Sequence, residues 1–117
     1  MNSPKSLVLN RTLSQIGLAQ RAGKIVAGDE LAIALKQNRV CYLFIAQDAS
    51  EKTKARFLKS ASYKQIPVNQ DYLSVELSQA IGKVNRMVLG LTDPGFMRLF
   101  KKKEEQYVTK EEDEPKT

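Results

Sequence analysis

Residues 24–48, KIVAGDELAIALKQNRVCYLFIAQD, decide the fold, because they hold a strand, a helix and a second strand in one unbroken stretch. Residues 24–27 read as a short strand, and Gly28 permits a sharp entry into a helix over 29–37. At about 100° per residue, Leu31, Ala34 and Leu35 fall on one side of that helix. Asp29, Glu30, Ile33, Lys36 and Gln37 fall on the other. The first set faces a sheet and the second faces outward. After a turn at Asn38 and Arg39, residues 40–46 are apolar without alternation, the pattern of a strand covered on both faces.

On the N-terminal side, residues 1–9 read as a flexible lead-in. Asn10 then caps a helix with the apolar stripe Leu13, Ile16, Ala19 and Ala22, ended by Gly23. On the C-terminal side, Ser50 caps a helix from 51 to about 61 with the stripe Ala55, Leu58 and Ala61; Lys52, Lys54, Arg56 and Lys59 are read as a solvated face. Ile66-Pro67-Val68 is a brief strand whose proline places it at an edge or an end. Asp71 or Ser74 starts a helix to Ile81, Gly82 stops it, and residues 87–91 form another buried strand. Asp93-Pro94 opens a last helix to about 103, since proline is tolerated in a first turn that needs no amide partner. Strands alternating with helices predict a three-layer α/β/α sandwich with a mixed four-stranded sheet, a single domain over 10–103 and a charged, disordered tail over 104–117.

Composition narrows the function. The 117 residues suffice for one domain with its own core, and the single Cys41 lies in the most apolar strand, where it reads as a small buried hydrophobe. Nothing asks for an oxidising compartment, the apolar runs are too short to span a membrane, and no secretory signal opens the chain. A cytoplasmic location is expected. The chain has no histidine and no cluster with metal-ligand spacing, so triads, thiol catalysis and zinc chemistry lose their usual parts. Neither an enzyme nor a cofactor or metal site is expected.

Charge points to a partner. The formal net charge is +6, but residues 104–117 hold two lysines and six acids, leaving 17 basic and 7 acidic groups on residues 1–103. A body at +10 attracts polyanions, with counterion release supplying sequence-independent affinity. Within it, the adjacent carboxylates of Asp29 and Glu30 at a helix start can only accept hydrogen bonds, and base edges offer donors where phosphates do not. Lys36 can answer a phosphate, and Gly28 lets a backbone approach closely. Acids in a first helical turn also favour the macrodipole by about 0.3–1 kcal/mol, so spacing alone leaves a stabilising role equally open.

Five segments in order carry a family resemblance over most of residues 10–100. They are residues 16–24 (IGLAQRAGK), Gly28-Asp29-Glu30, residues 45–50 (IAQDAS), residues 82–86 (GKVNR) and residues 92–96 (TDPGF). In these the chain resembles the small bacterial YlxQ-type proteins, within the kink-turn-binding ribosomal protein superfamily of archaeal L-seven-Ae and eukaryotic L-thirty-e. The resemblance implies the same α/β/α sandwich and recognition of a sharply bent RNA helix with tandem sheared G·A pairs. In that superfamily a Gly-x-Asn-Glu-x-x-Lys motif at a helix start reaches guanine edges, and a loop before the last strand packs on the bulged nucleotide.

Carried onto this chain, the resemblance implies an RNA-binding set of Lys24, Gly28, Asp29, Glu30, Ile33, Lys36, Lys83, Val84, Asn85 and Arg86. Val84 would offer an apolar surface, Asn85 hydrogen bonds, and Lys83 and Arg86 phosphate or stacking contacts. The chain departs from the motif in being one residue shorter, in carrying Asp29 for asparagine and in carrying Ile33 where lysine is common. The expectation is a monomeric, non-enzymatic protein that binds structured RNA, ribosomal RNA above all, with ribosome or translation-factor contacts. Two alternatives stand beside it: a protein-interaction module of the translation or transcription machinery that docks through Ile33, and an RNA-modification domain without its catalytic half.

Overall fold

The computed structural model describes residues 4–97 and residue 100, with side chains from residue 10 onward. The expected tail of 104–117 and the far end of the last helix lie outside the described residues. Eight elements follow in chain order: α1 (Pro4–Arg21), β1 (Ile25–Val26), α2 (Asp29–Lys36), β2 (Tyr42–Ile45), α3 (Glu51–Lys64), β3 (Val68–Asn69), α4 (Ser74–Ala80) and β4 (Val88–Leu91). Residues 94–97 and residue 100 are helical again.

One mixed sheet in the order β1-β4-β2-β3 forms the middle layer. β4 pairs antiparallel with both β1 and β2, and β3 joins β2 in parallel. All residues of β2 and β4 are buried, as unalternating apolar strands require. Pro67 precedes the edge strand β3 and contributes only its carbonyl, which accepts the Leu43 N–H at 3.0 Å.

The two faces of the sheet are sorted by residue parity. Leu43 and Gly90 are register partners, so their Cα–Cβ directions share a face. A Cβ on Gly90 would lie 2.6 Å from the Leu31 Cδ1 of α2, so glycine here lets α2 settle directly on β4. Tyr42 and Phe44 point the other way, into an aromatic cluster with Phe100 and Tyr72 whose ring centroids stand 5.0–6.5 Å apart. The α2 side also carries α3. α1 and α4 pack together as the remaining layer, where a Cβ on Gly17 would come within 3.2 Å of the Ala80 carbonyl oxygen.

Several sequence expectations need correction. α1 begins at Pro4, so Asn10 is a residue within the helix and not its cap. A proline in the first turn starts a helix earlier than a search for side-chain caps detects. Its buried line is Thr12, Ile16 and Ala19, with Leu13 half-buried and Ala22 exposed. α3 extends to Lys64 and stops where Gln65 turns left-handed at φ 58°. Its inward line is Phe57 and Ala61, while Ala55 and Leu58 are exposed. α3 has too few apolar residues to reveal its own orientation, and the large aromatic at 57 decides the rotation. Cys41 lies just before β2, half-buried, with its Sγ 3.3 Å from the Leu91 carbonyl it donates to. Partial burial raises its thiol pKa above the ordinary value, partly offset by a backbone hydrogen bond.

Candidate nucleic-acid interface

The site grows from Gly28. With φ 62° and ψ −135°, this residue occupies a backbone region closed to side chains, and its carbonyl accepts the N–H groups of Leu31 at 3.1 Å and Ala32 at 3.3 Å. α2 therefore starts abruptly, with Asp29 and Glu30 in its exposed first turn and with N–H groups that have no helical acceptor. Leu31, Ala34 and Leu35 are buried beneath it, while Ile33 is 51% exposed, matching the division expected from periodicity.

Facing this helix start is the turn over residues 82–86. Gly82 at φ 68° and Asn85 at φ 57° bend it, and both lie in the left-handed region. Its anchor is Ser78 of α4, only 4% exposed. The Ser78 hydroxyl accepts the Arg86 N–H at 2.9 Å and donates to the Arg86 carbonyl at 3.3 Å, and the Ser78 carbonyl accepts the Lys83 N–H at 2.9 Å. The Arg86 guanidinium then donates to the Val84 carbonyl at 2.8 Å, closing the turn on itself.

Gly28 and Asp29 line one cleft of about 450 Å³ together with Asn85 and Arg86. The same cleft is walled by Arg56 and Phe57 of α3 and backed by Leu31 and Val88. Its floor is apolar and its rim mixes one carboxylate acceptor, one amide and two guanidinium groups. Such a rim can accept from amino and imino groups, donate to carbonyl or phosphate oxygens, and stack a planar ring. The Arg56 guanidinium already sits 4.8 Å from the centroid of the Phe57 ring.

The structure thus brings four of the ten expected residues into one cleft and spreads the others around it. Glu30, Ile33 and Lys36 project from the outward face of α2, and Lys83 and the 71%-exposed Val84 stand on the turn. Lys24 is half-buried beside β1, where its carbonyl accepts the Thr92 N–H at 2.9 Å and hydroxyl at 3.2 Å; it does not line the cleft. Arg56, Phe57 and Ser78 were not among the expected residues. Arg56 is one of four basic residues between 52 and 59 that have the pattern of a solvated face, and Phe57 lies outside the apolar stripe Ala55, Leu58 and Ala61. For Ser78 the sequence carries no signal, because its partner Arg86 lies in the turn beyond the helix.

A second tertiary link supports the frame behind the cleft. The Asp48 carboxylate accepts from the Ser74 N–H at 2.8 Å and the Ser74 hydroxyl at 2.7 Å, capping α4 from a loop 26 residues earlier. These two bonds hold its pKa below the ordinary aspartate value. Glu76 completes the cap by accepting the Leu73 N–H at 2.8 Å. Among the described residues no group of three or more His, Cys, Asp or Glu side chains is placed to share a metal ion, and no helix is long and apolar enough to cross a membrane.

No protein-family model matches the chain. An RNA-binding protein YlxQ of Enterococcus faecium is 39% identical over 92 residues, covering 78% of this chain and 88% of the relative. An RNA-binding protein YlxQ of Bacillus subtilis is 33% identical over 82 residues, covering 69% and 82%. Among solved structures, a protein of unknown function from Bacillus halodurans superposes with a TM-score of 0.73 at 34% identity, covering 79% of this chain and 94% of its own. A 15.5 kD RNA-binding protein of Giardia lamblia gives 0.70 at 17% identity, covering 88% and 87%, which is a likeness of fold alone. Identity at this level over most of both curated relatives is shared descent, and the chain belongs to the YlxQ family.

Proposed function

We propose that this protein is a non-enzymatic RNA-binding protein that recognises a sharply bent, kink-turn-like RNA, ribosomal or ribosome-associated, in the cytoplasm, and that it acts as a monomer. The observation that carries the reading is the cleft shared by Gly28 and Asp29 at the start of α2 and Asn85 and Arg86 in the 82–86 turn. A base edge is read by acceptors and donors held in fixed positions, and both sides of the cleft are held by backbone geometry. The names of the two curated relatives support the partner class. The +10 charge of residues 1–103 supplies the attraction for a polyanion.

In this reading Asp29 and Glu30 accept from base amino and imino groups. Asn85 and Arg86 engage the bulged nucleotide, Lys36 and Lys83 answer phosphates, and Val84 and Ile33 provide apolar contact at the edges. A labelled kink-turn RNA titrated at moderate salt, with a regular duplex as the control, tests it: a clear preference for the bent RNA is expected, and equal affinities reject shape-specific recognition. Glu30→Ala weakens the bent RNA selectively. Lys83→Ala lowers the salt dependence more than the selectivity. The exposed Ile33 and Val84 also fit a protein-docking role, which predicts association that survives high salt.

A further inference from the structure

Among the exposed residues of α3, Lys52, Arg56, Lys59 and Tyr63 are spaced four, three and four residues apart. At helical periodicity these four side chains fall on one narrow stripe, extending roughly 17 Å along the axis. Glu51 is the one acid in α3; it lies about a quarter-turn away from the stripe and pairs with Lys54 at 3.8 Å. The line is therefore purely cationic until it ends in Tyr63, a ring 87% exposed.

Continuity gives the stripe its meaning, because Arg56 is at once its second member and a wall of the cleft beside Asp29 and Arg86. Resting on the RNA-binding reading, the geometry points to a second subsite on α3 for a single-stranded RNA segment that leaves the structured element at the cleft and crosses the helix. Lys52 and Lys59 neutralise its phosphates, and Tyr63 stacks on one of its bases. A single strand fits better than a duplex, because in a duplex the faces of the bases are covered by their neighbours and an exposed tyrosine finds nothing to stack on. Cationic tracks that end on or interleave with aromatic rings bind unpaired strands for this reason.

The test compares a blunt-ended kink-turn RNA with the same RNA bearing a short oligo-uridine tail on its 5′ or its 3′ end. One of the two tailed RNAs is expected to bind about tenfold more tightly than the blunt one. Tyr63→Ala removes that gain and Tyr63→Phe keeps it, both without change in affinity for the blunt RNA. Lys59→Ala lowers the slope of log affinity against log salt by about 0.7 for the tailed RNA only. The inference is overturned if neither tail raises affinity, or if the gain survives in Tyr63→Ala. Failure of the kink-turn reading shows separately, as equal binding of blunt kink-turn RNA and blunt duplex. In that case the tail effect is measured on the duplex carrying the same tails.

Discussion

The Ser78 hydroxyl and the backbone of Arg86 are joined twice, at 2.9 Å through the Arg86 N–H and at 3.3 Å through its carbonyl, so one buried side chain of α4 sets the path of the turn that faces α2. Removing the hydroxyl leaves a partly buried backbone donor without its acceptor. Ser78→Ala is expected to cost about 1–3 kcal/mol of stability, read by thermal or urea denaturation. It should also reduce preference for bent RNA over duplex, while Ser78→Thr retains part of both. A variant that melts lower yet keeps full preference would show that the turn is held by other means.

Gly90 is the point at which α2 rests on the sheet. An added Cβ would meet Leu31 Cδ1 at 2.6 Å, Val26 Cγ2 at 3.2 Å and Val40 Cγ1 at 3.3 Å, and the closest of these is the movable end of a side chain. Gly90→Ala is expected to destabilise by about 1–3 kcal/mol through overpacking. Shortening Leu31 in the same chain relieves the crowding, so the double variant Gly90→Ala with Leu31→Val should lose less than the sum of the two single changes. Strict additivity in denaturation experiments would contradict the contact.

Gly28 poses the opposite problem, since its Cβ would meet nothing within 4 Å and only the backbone angle forbids it. Gly28→Ala should cost on the order of 1–3 kcal/mol from conformational strain alone. No neighbouring truncation should rescue it, and this separates it from Gly90 in the same denaturation assay.

Acid should act through Asp48. Its native pKa is depressed by the bonds from Ser74, below an ordinary value of 3.8. A depressed carboxylate contributes stability that is fully present above the unfolded pKa and is lost as pH falls through the native one. The loss therefore belongs to the range below 3.8, and Asp48→Ala should flatten that part of the melting temperature against pH curve while lowering stability at neutral pH. Parallel acid profiles for the two proteins would remove Asp48 from the account.

Asp29 lines the cleft with a carboxylate, which only accepts hydrogen bonds. Asn both donates and accepts, and it removes a negative charge from the neighbourhood of phosphates. On the proposed function, Asp29→Asn should tighten kink-turn binding by about 1 kcal/mol, roughly fivefold, in a titration at fixed salt. Weaker binding would show that the ionised carboxylate is the better acceptor despite its charge, and unchanged binding would place residue 29 outside the contact.

Much of this molecule is written in short-range chemistry. The burial of Leu31, Ala34 and Leu35 against the exposure of Asp29, Glu30, Ile33 and Lys36 follows from helical periodicity. The buried β2 follows from an unalternating apolar run, the sharp start of α2 from Gly28, and the edge position of β3 from Pro67. Each depends on a few consecutive residues and on backbone sterics, so the sequence by itself determined them, and with them the α/β/α class.

What only the tertiary structure decided involves partners far apart in the chain. Nothing local tells Ser78 that its hydroxyl will hold Arg86, or Asp48 that it will cap α4 at Ser74. The rotation of α3 was equally unreadable, because an apolar-poor helix takes its orientation from the surface it meets, and that rotation is what carries Arg56 into the cleft beside Asp29. The strand order β1-β4-β2-β3 brings the residue 82–86 turn next to the start of α2, across more than fifty residues of chain. A site assembled from separate loops exists only once packing has chosen which ends meet, and pattern in the sequence is silent about that choice.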